Sequence, residues 1–347
     1  MRTAVIVSAY KRYEYINEAI KSVIFQTKKP NEIIIAIDNP KILKIPKTNI
    51  KIKIIERNYP EYGKAIAKCL DEVDKDIDIV MFLEDDDLFR KDKIEKIVKY
   101  FKNFENVVAI HNSQYPIDKD GKKIETEYYA QEYQPKTNIV IDLNNLYTLY
   151  KEYPFLHHNV SSFSFRLDIL RKYKKLFKIF HTGIDTFLFF IGINEGKVLH
   201  IKDKLTYFRI SGMSSIILEE LKNFKAFKKK KIKQLCLTYK YLSAWKELSK
   251  IFTNETCKKI IDEKIFRSEF YLYIFKDYLK KICRDKISLP NFFNLVRKTI
   301  KYKKMNILSK KECLKFLLLL IFSKLFKKIT MEIVLRYLFS KFRLEKL

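Results

Sequence analysis

Five short aliphatic runs, Thr3 to Val7, Glu32 to Ile37, Ile52 to Ile55, Ile77 to Leu83 and Val107 to Ile110, alternate with helix-period segments through the first 110 residues. Between the runs, Ile16, Ile20, Val23 and Ile24 share one helical stripe, and Ile94, Ile97, Val98 and Phe101 share another. Near-continuous aliphatic strands need cover on both faces. The pattern therefore predicts an α/β fold, a Rossmann-like, mainly parallel sheet flanked by helices. In such a sheet the ligand crevice lies beyond the carboxyl ends of the strands.

The fourth run leads directly into Glu84-Asp85-Asp86-Asp87. Adjacent carboxylates repel one another by on the order of 1 kcal/mol per close pair, and partial burial adds to that. A hard divalent cation removes the cost, and one that keeps open positions then holds a diphosphate. A solvated acidic loop would look the same in isolation. Neighbouring strand ends decide between them: Ser8 and Tyr10 follow the first strand and Asp38 the second, so all are expected on one edge with the acids. Singly each reads as a cap, a turn residue or a rim aromatic. Jointly they predict a nucleotide site.

The 347 residues allow two domains, and the charge separates them. Of the net +29, residues 216–347 carry 34 Lys and Arg against 12 Asp and Glu, which leaves only +7 for residues 1–215. We place an α/β domain at 1–215 and a basic α-helical region at 216–347. Such a field attracts anionic lipid or nucleic acid. No helix-turn-helix, zinc module or ribonucleoprotein signature supports nucleic acid. From Leu221 onward the period is helical, with Phe224, Phe227, Leu235, Leu242, Trp245 and Leu248 on a stripe interrupted by Lys228 to Lys231. Phe316 to Phe322 is wholly apolar and is followed by Lys324, Lys327 and Lys328, after which Leu335, Leu338, Phe339 and Phe342 oppose Glu332, Arg336, Ser340 and Arg343. An interfacial helix hairpin on an anionic membrane and a soluble bundle with a basic rim fit this pattern equally. The apolar run is too short to span a bilayer. Cys69, Cys236, Cys257, Cys283 and Cys313 form no CxxC pair, so neither a zinc site nor a disulfide framework is expected, and a reducing compartment fits. Met1-Arg2-Thr3 enters a strand at once, without a leader-like apolar core, which makes the cytoplasm the expected location.

Three segments carry a family resemblance: Val5-Ile6-Val7-Ser8-Ala9-Tyr10 with the helix through Ile20-Lys21-Ser22-Val23-Ile24-Phe25-Gln26-Thr27, then Glu32 to Asp38, then Phe82 to Leu88. With His181 to Leu188 they make the chain similar to the family 2 glycosyltransferases of GT-A fold, which transfer a sugar from a nucleotide sugar with inversion. The resemblance covers about the first 60% of the chain and fades near Ser215.

The resemblance implies that Ser8 and Tyr10 border the nucleobase and ribose and that Asp38 accepts a hydrogen bond from the base, commonly uracil. Glu84 and Asp86 take the two acidic positions of the DxD element, a glutamate in the first being a departure. Asp86 is placed on the metal, Asp85 near the ribose and Asp87 beside Asp86. Asp185 matches the catalytic base, in a predicted loop before an apolar helix from Phe187 to Ile193; it also reads as a helix N-cap. Arg209, in Tyr207 to Ser215, is expected near the diphosphate, and Ser211 stands where some relatives place a metal-binding histidine. Lys64, after Gly63, sits where relatives contact the nucleotide, and His157, His158 and Asn159 precede a stretch that faces the acceptor. The implied cofactor is a divalent cation, Mg or Mn. The implied partners are a nucleotide-sugar donor, most simply a uridine diphosphate sugar, and a lipid-linked or polysaccharide acceptor, with the enzyme peripheral on the inner face of the cell membrane. Two readings compete: a basic nucleic-acid-binding protein and a catalytically inactive scaffold of the same fold.

Overall fold

The computed structural model describes residues 1–124, 134–210, 223–283 and 287–344, the last four of these by backbone alone. The chain divides into two compact units, Met1–Ser211 and Gly212–Leu347.

The first unit is built on nine strands: β1 (Thr3–Ser8), β2 (Glu32–Ile37), β3 (Lys51–Glu56), β4 (Ile79–Glu84), β5 (Leu88–Phe89), β6 (Val107–Ile117), β7 (Ile139–Ile141), β8 (Phe163–Arg166) and β9 (Lys197–Arg209). They form one sheet in the order β3-β2-β1-β4-β8-β6-β9-β5, with β7 on β9. The runs β1 to β4 pair in parallel; β1, β2 and β4 are buried on both faces, as their aliphatic sequence requires, while β3 is the partly exposed edge. Beyond β4 the sheet is mixed, because β8 inserts against both β4 and β6 in the opposite sense while β6 and β9 run parallel. The α/β architecture is as expected, and the extent of parallel pairing is smaller. Ser8 lies opposite Glu84 on one side and Ala36 on the other, so the strand ends that carry polar residues fall on one edge.

Helices α1 (Ile16–Ile24), α2 (Tyr62–Glu72), α3 (Lys93–Asn103), α4 (Leu146–Glu152), α5 (Leu167–Phe177) and α6 (Ile184–Glu195) complete the unit. The stripes of α1 and α3 are buried as their period dictates. Gly63 lets α2 approach the end of α5: a Cβ there would collide with the carbonyl oxygens of Phe177 and Phe180, and its N–H donates to Phe180 O at 3.2 Å. In α6 the apolar residues run all the way round, with Phe187, Leu188, Phe189 and Phe190 buried. This helix begins earlier than its apolar run suggests. Gly183, at φ 74°, supplies the left-handed residue before it, and Asp185 falls in the first turn instead of the loop.

The second unit is helical: α7 (Phe224–Lys233), α8 (Leu235–Ile251), α9 (Glu255–Ile274), α10 (Lys276–Ile282), α11 (Phe292–Lys304), α12 (Lys310–Leu325) and α13 (Lys327–Leu344). Side-chain caps fix several starts: Asn223, Asn254 and Asn291 accept from first-turn amides, and Ser309 forms a reciprocal capping box with Glu312. The apolar run of α12 splits between two environments. Phe316 stacks edge-on against Phe266 and Phe270 at 5.2 and 4.6 Å and Leu320 is buried, whereas Leu318, Ile321 and Phe322 face outward. Contrary to the sequence expectation, Cys236 and Cys283 are joined as a disulfide across a Cα separation of 5.6 Å. The start of α8 and the end of α10 bring together two cysteines that lie 47 residues apart, a proximity that their spacing does not reveal. Among the described residues no helix is long and apolar enough to cross a membrane.

Candidate functional site

The site is assembled from the carboxyl edge of β1 to β4. Ser8 Oγ accepts from Arg57 Nη1 at 2.8 Å. Arg57, the first residue past β3, is only 4% exposed; its Nε and Nη2 donate to the carbonyls of Tyr59 and Pro60 at 3.0 and 2.7 Å. Its guanidinium faces the rings of Tyr10 and Tyr62 at 5.1 and 5.9 Å. Asp38 accepts from Tyr13 Oη–H at 2.6 Å and Lys11 N–H at 3.2 Å. Burial acts to raise the Asp38 carboxyl, but these bonds hold it below its ordinary value. They also pin Lys11 at φ 55°, where a residue with a Cβ seldom sits.

Arg12, one residue on, lies against the acidic run. Its Nε donates to Asp85 Oδ2 at 3.1 Å, its Nη2 donates to Asp85 Oδ1, and Nη2 is 3.2 Å from Asp86 Oδ2. One guanidinium does not offset four carboxylates. Burial raises Asp85, with Arg12 opposing it, and burial followed by the charges of Asp87, Asp86, Asp85 and Asp185 raises Glu84 well above its usual range. Asp87 is pushed up to about 7 by burial and then by Asp86. Among the described residues no three His, Cys, Asp or Glu side chains come together in a group that could hold a metal ion by itself. The excess negative charge of this run is of the kind that an ion of the Mg or Mn type would relieve, since such an ion needs only one or two carboxylates and completes its shell with substrate phosphates. Asp87, expected beside Asp86 at the metal, has both oxygens engaged within the fold. Its Oδ2 accepts from Asn159 Nδ2 at 2.6 Å and its Oδ1 from Arg209 N–H at 3.0 Å, which makes it the anchor of the acidic turn.

Asp185 accepts from Thr186 N–H at 2.8 Å and from the Asn159 backbone, and burial pushes its carboxyl up to about 6. Asn159 thus touches both acids that matter: its amide holds Asp87, its backbone holds Asp185, and its Oδ1 accepts from Ser162 Oγ at 3.1 Å. It does so at φ 76° while 4% exposed. Behind it, Ser161 Oγ accepts from Glu84 N–H at 2.9 Å, and Ser161 O accepts from the buried Lys93 Nζ, which also donates to Thr206 Oγ1 at 2.9 Å. Burial drives the Lys93 pKa well below its usual value. The adjacent histidines diverge: His157 stacks on Tyr150, while His158 meets Phe208 edge-on and burial brings its pKa down to about 4.

Arg209 is engaged within the fold. Its side chain is fully buried and its donors are consumed internally, by Asp86 O (2.9 Å), Asp118 O (3.0 Å), Lys119 O (2.8 Å) and Glu18 Oε2 (3.0 Å), with the guanidinium over Tyr15 at 3.9 Å. It is a staple, not an open contact for a diphosphate. Lys64 stands in the first turn of α2, half exposed, 3.3 Å from Glu61. Ser211 and the segment to Ser215 lie outside the described residues. Sequence reasoning missed Arg12, Arg57 and the linking role of Asn159. For Arg57 the signal existed: it follows β3 by one residue, as Asp38 follows β2.

Residues 4–174 match the model of Glycosyl transferase family 2, a segment that ends before Asp185 and Arg209. An uncharacterized glycosyltransferase of Rickettsia conorii is 35% identical over 130 residues, which is 36% of this chain and 21% of that protein. One of Rickettsia felis is 33% identical over the same length, with the same coverage. The match therefore spans about a fifth of the length of these relatives. Among solved structures, S. aureus TarS 1-349 in complex with UDP-GlcNAc is similar at a TM-score of 0.48 and 13% identity, covering 88% of this chain and 92% of that one. The same protein in complex with UDP gives a TM-score of 0.46. Ser8, Asp38 and the Glu84 to Asp87 run all lie inside the segment, residues 4–174, over which the chain is similar to Glycosyl transferase family 2.

Proposed function

We propose that the chain is an inverting, divalent-cation-dependent glycosyltransferase that moves a sugar from a uridine diphosphate donor to a lipid-linked glycan, polysaccharide or glycoconjugate. One observation carries this reading: the acidic run and the Ser8 and Asp38 strand ends share an edge, and Asp185 lies within electrostatic reach of Glu84. Arg57, Tyr10 and Ser8 form a preformed polar and aromatic wall suited to a base and ribose. Lys64, at the start of α2, is the exposed cation for the nucleotide's phosphates. A Mg or Mn ion held by Asp86, with Glu84 or Asp85 beside it, would neutralise charge on the departing diphosphate.

Asp185 takes the proton of the acceptor hydroxyl as that oxygen bonds to the anomeric carbon, and the bond from this carbon to the diphosphate oxygen breaks. Attack from the face opposite the leaving group inverts the centre. A carboxyl raised to about 6 is ionised at neutral pH yet more basic than an exposed aspartate, which suits a general base. Acceptors of this kind lie at the cytoplasmic face of a membrane, where a strongly basic C-terminal region would hold the enzyme.

A thermal-shift panel of nucleoside diphosphates with and without manganese tests the reading. Uridine diphosphate at 100 times its Kd should stabilise the protein by about 2.7 kcal/mol, only with the metal present. Asp86→Ala should abolish that shift with the unliganded melting temperature retained. Equal shifts from every nucleotide, or an undiminished uridine diphosphate shift in chelator, would sink the assignment.

A further inference from the structure

We infer that the corner between α12 and α13 is a docking surface for an anionic lipid bilayer, on which the C-terminal unit lies without crossing. Leu314, Leu318, Phe322 and Leu325 recur on one outward stripe of α12, 60%, 47%, 49% and 68% exposed. After a single residue, α13 continues with Ile329 and Ile333, 57% and 51% exposed. At the corner the exposed rings of Phe322 and Phe326 lie 6.4 Å apart, between the two sets of exposed side chains. A folded unit leaves a contiguous apolar ridge of this length in water only where something covers it. The inward faces of the same helices are already satisfied by Phe316, Leu320 and Leu335, so the ridge is not a misplaced core.

The surrounding charges identify the occupant. Lys310, Lys311 and Lys315 at the start of α12 and Lys324 and Lys328 at the corner are exposed. The acids nearby are engaged elsewhere: Glu312 by Arg267, Glu332 by Lys228 and Arg336, and Asp277 by Lys327. Two of these lysines set their ammonium groups over aromatic rings of the same unit, Lys315 Nζ over Tyr337 at 3.8 Å and Lys324 Nζ over Phe292 at 5.2 Å. An apolar strip flanked by basic residues matches a bilayer whose acyl region takes the Leu, Ile and Phe side chains and whose headgroups take the ammonium groups. A second copy of this chain would set lysine against lysine. No described helix is long and apolar enough to cross a membrane, so the surface lies on the bilayer.

Co-sedimentation of the full chain with phosphatidylglycerol-containing vesicles, against pure phosphatidylcholine, tests this at low and high salt. Binding should need the anionic lipid and keep a salt-resistant fraction, since buried apolar contact is not screened. Leu325→Glu with Ile329→Glu, both at exposed positions, should lower the bound fraction about tenfold with helicity and melting unchanged. Lys324→Glu with Lys328→Glu should weaken binding mainly at low salt. Unchanged binding of the Leu325/Ile329 variant overturns the proposal, as does complete release of the wild type by salt. Light scattering that shows a dimer dissolved by that variant, without vesicle binding, assigns the ridge to a second copy and also overturns it. The nucleotide panel is independent of these outcomes, so failure here leaves the catalytic reading standing.

Discussion

Asp185→Asn should make the first unit more stable while removing its proposed catalytic base. Burial raises the Asp185 carboxyl from 3.8 to about 6. Since the folded-state value lies above the unfolded one, the native state binds more protons than the unfolded state between these values. Stability therefore falls as pH rises through that window, and the full cost of the ionised carboxylate is present above it. A rise of this size costs about 3 kcal/mol at pH 8, about 1.5 kcal/mol at pH 5, and less still at pH 4. Asparagine cannot ionise. It retains an oxygen for the Thr186 N–H, and any fixed loss of hydrogen bonding cancels when two pH values are compared. The stability advantage of the variant over wild type should thus grow by about 1.5 kcal/mol from pH 5 to pH 8, or roughly 3–6 °C in melting temperature for a unit of this size. Transfer to an established acceptor should fall by ~10²-fold or more, with donor affinity unchanged. Scanning calorimetry at the two pH values and single-turnover transfer are the assays. A stability difference that does not change with pH refutes the burial argument; wild-type turnover leaves Asp185 as a first-turn residue of α6 and nothing more.

Two further substitutions separate structural arginines from binding ones. Arg209→Ala removes a buried donor from the carbonyls of Asp86, Asp118 and Lys119, while Glu18 is exposed to water, and should cost about 1–3 kcal/mol in a urea titration; a variant of unaltered stability with weakened donor binding would place Arg209 at the diphosphate. Arg57→Lys keeps the charge but loses the fork that spans Ser8, Tyr59 and Pro60. It should weaken uridine diphosphate binding about tenfold by calorimetry, corresponding to the loss of one charge-assisted contact.

The legible part of the molecule was the part written in local periodicity. The strands β1, β2 and β4 announce themselves because each is buried on both faces, and a strand buried that way leaves few polar residues until it ends. The polar edge follows directly, since Ser8, Asp38 and Glu84 are where the aliphatic runs stop. The strands β8 and β9 carry Ser164, Thr206 and Lys204 among their apolar residues, and β8 depends on long-range pairing with β4 and β6, so no short window identifies them. Side-chain roles were legible only where partners are near in sequence. Arg209 looked available for a diphosphate because the acceptors that consume it lie between 90 and 191 residues away.

Asn159 gives the sharpest case of chemistry that periodicity does not reveal. Its neighbours His157 and His158 attract notice first, yet Asn159 itself combines three features: a left-handed backbone, near-complete burial and bonds to two separate acids. An asparagine tolerates that backbone better than most residues with a Cβ, and its amide supplies a donor to Asp87 without adding charge to a crowded acidic edge. An aspartate there would place another carboxylate against Asp87, and an alanine would leave Asp87 without its 2.6 Å partner. The acidic turn and the proposed base, 98 residues apart along the chain from Asp87 to Asp185, are therefore held in one frame by a neutral side chain whose geometry, not its charge, qualifies it for the position.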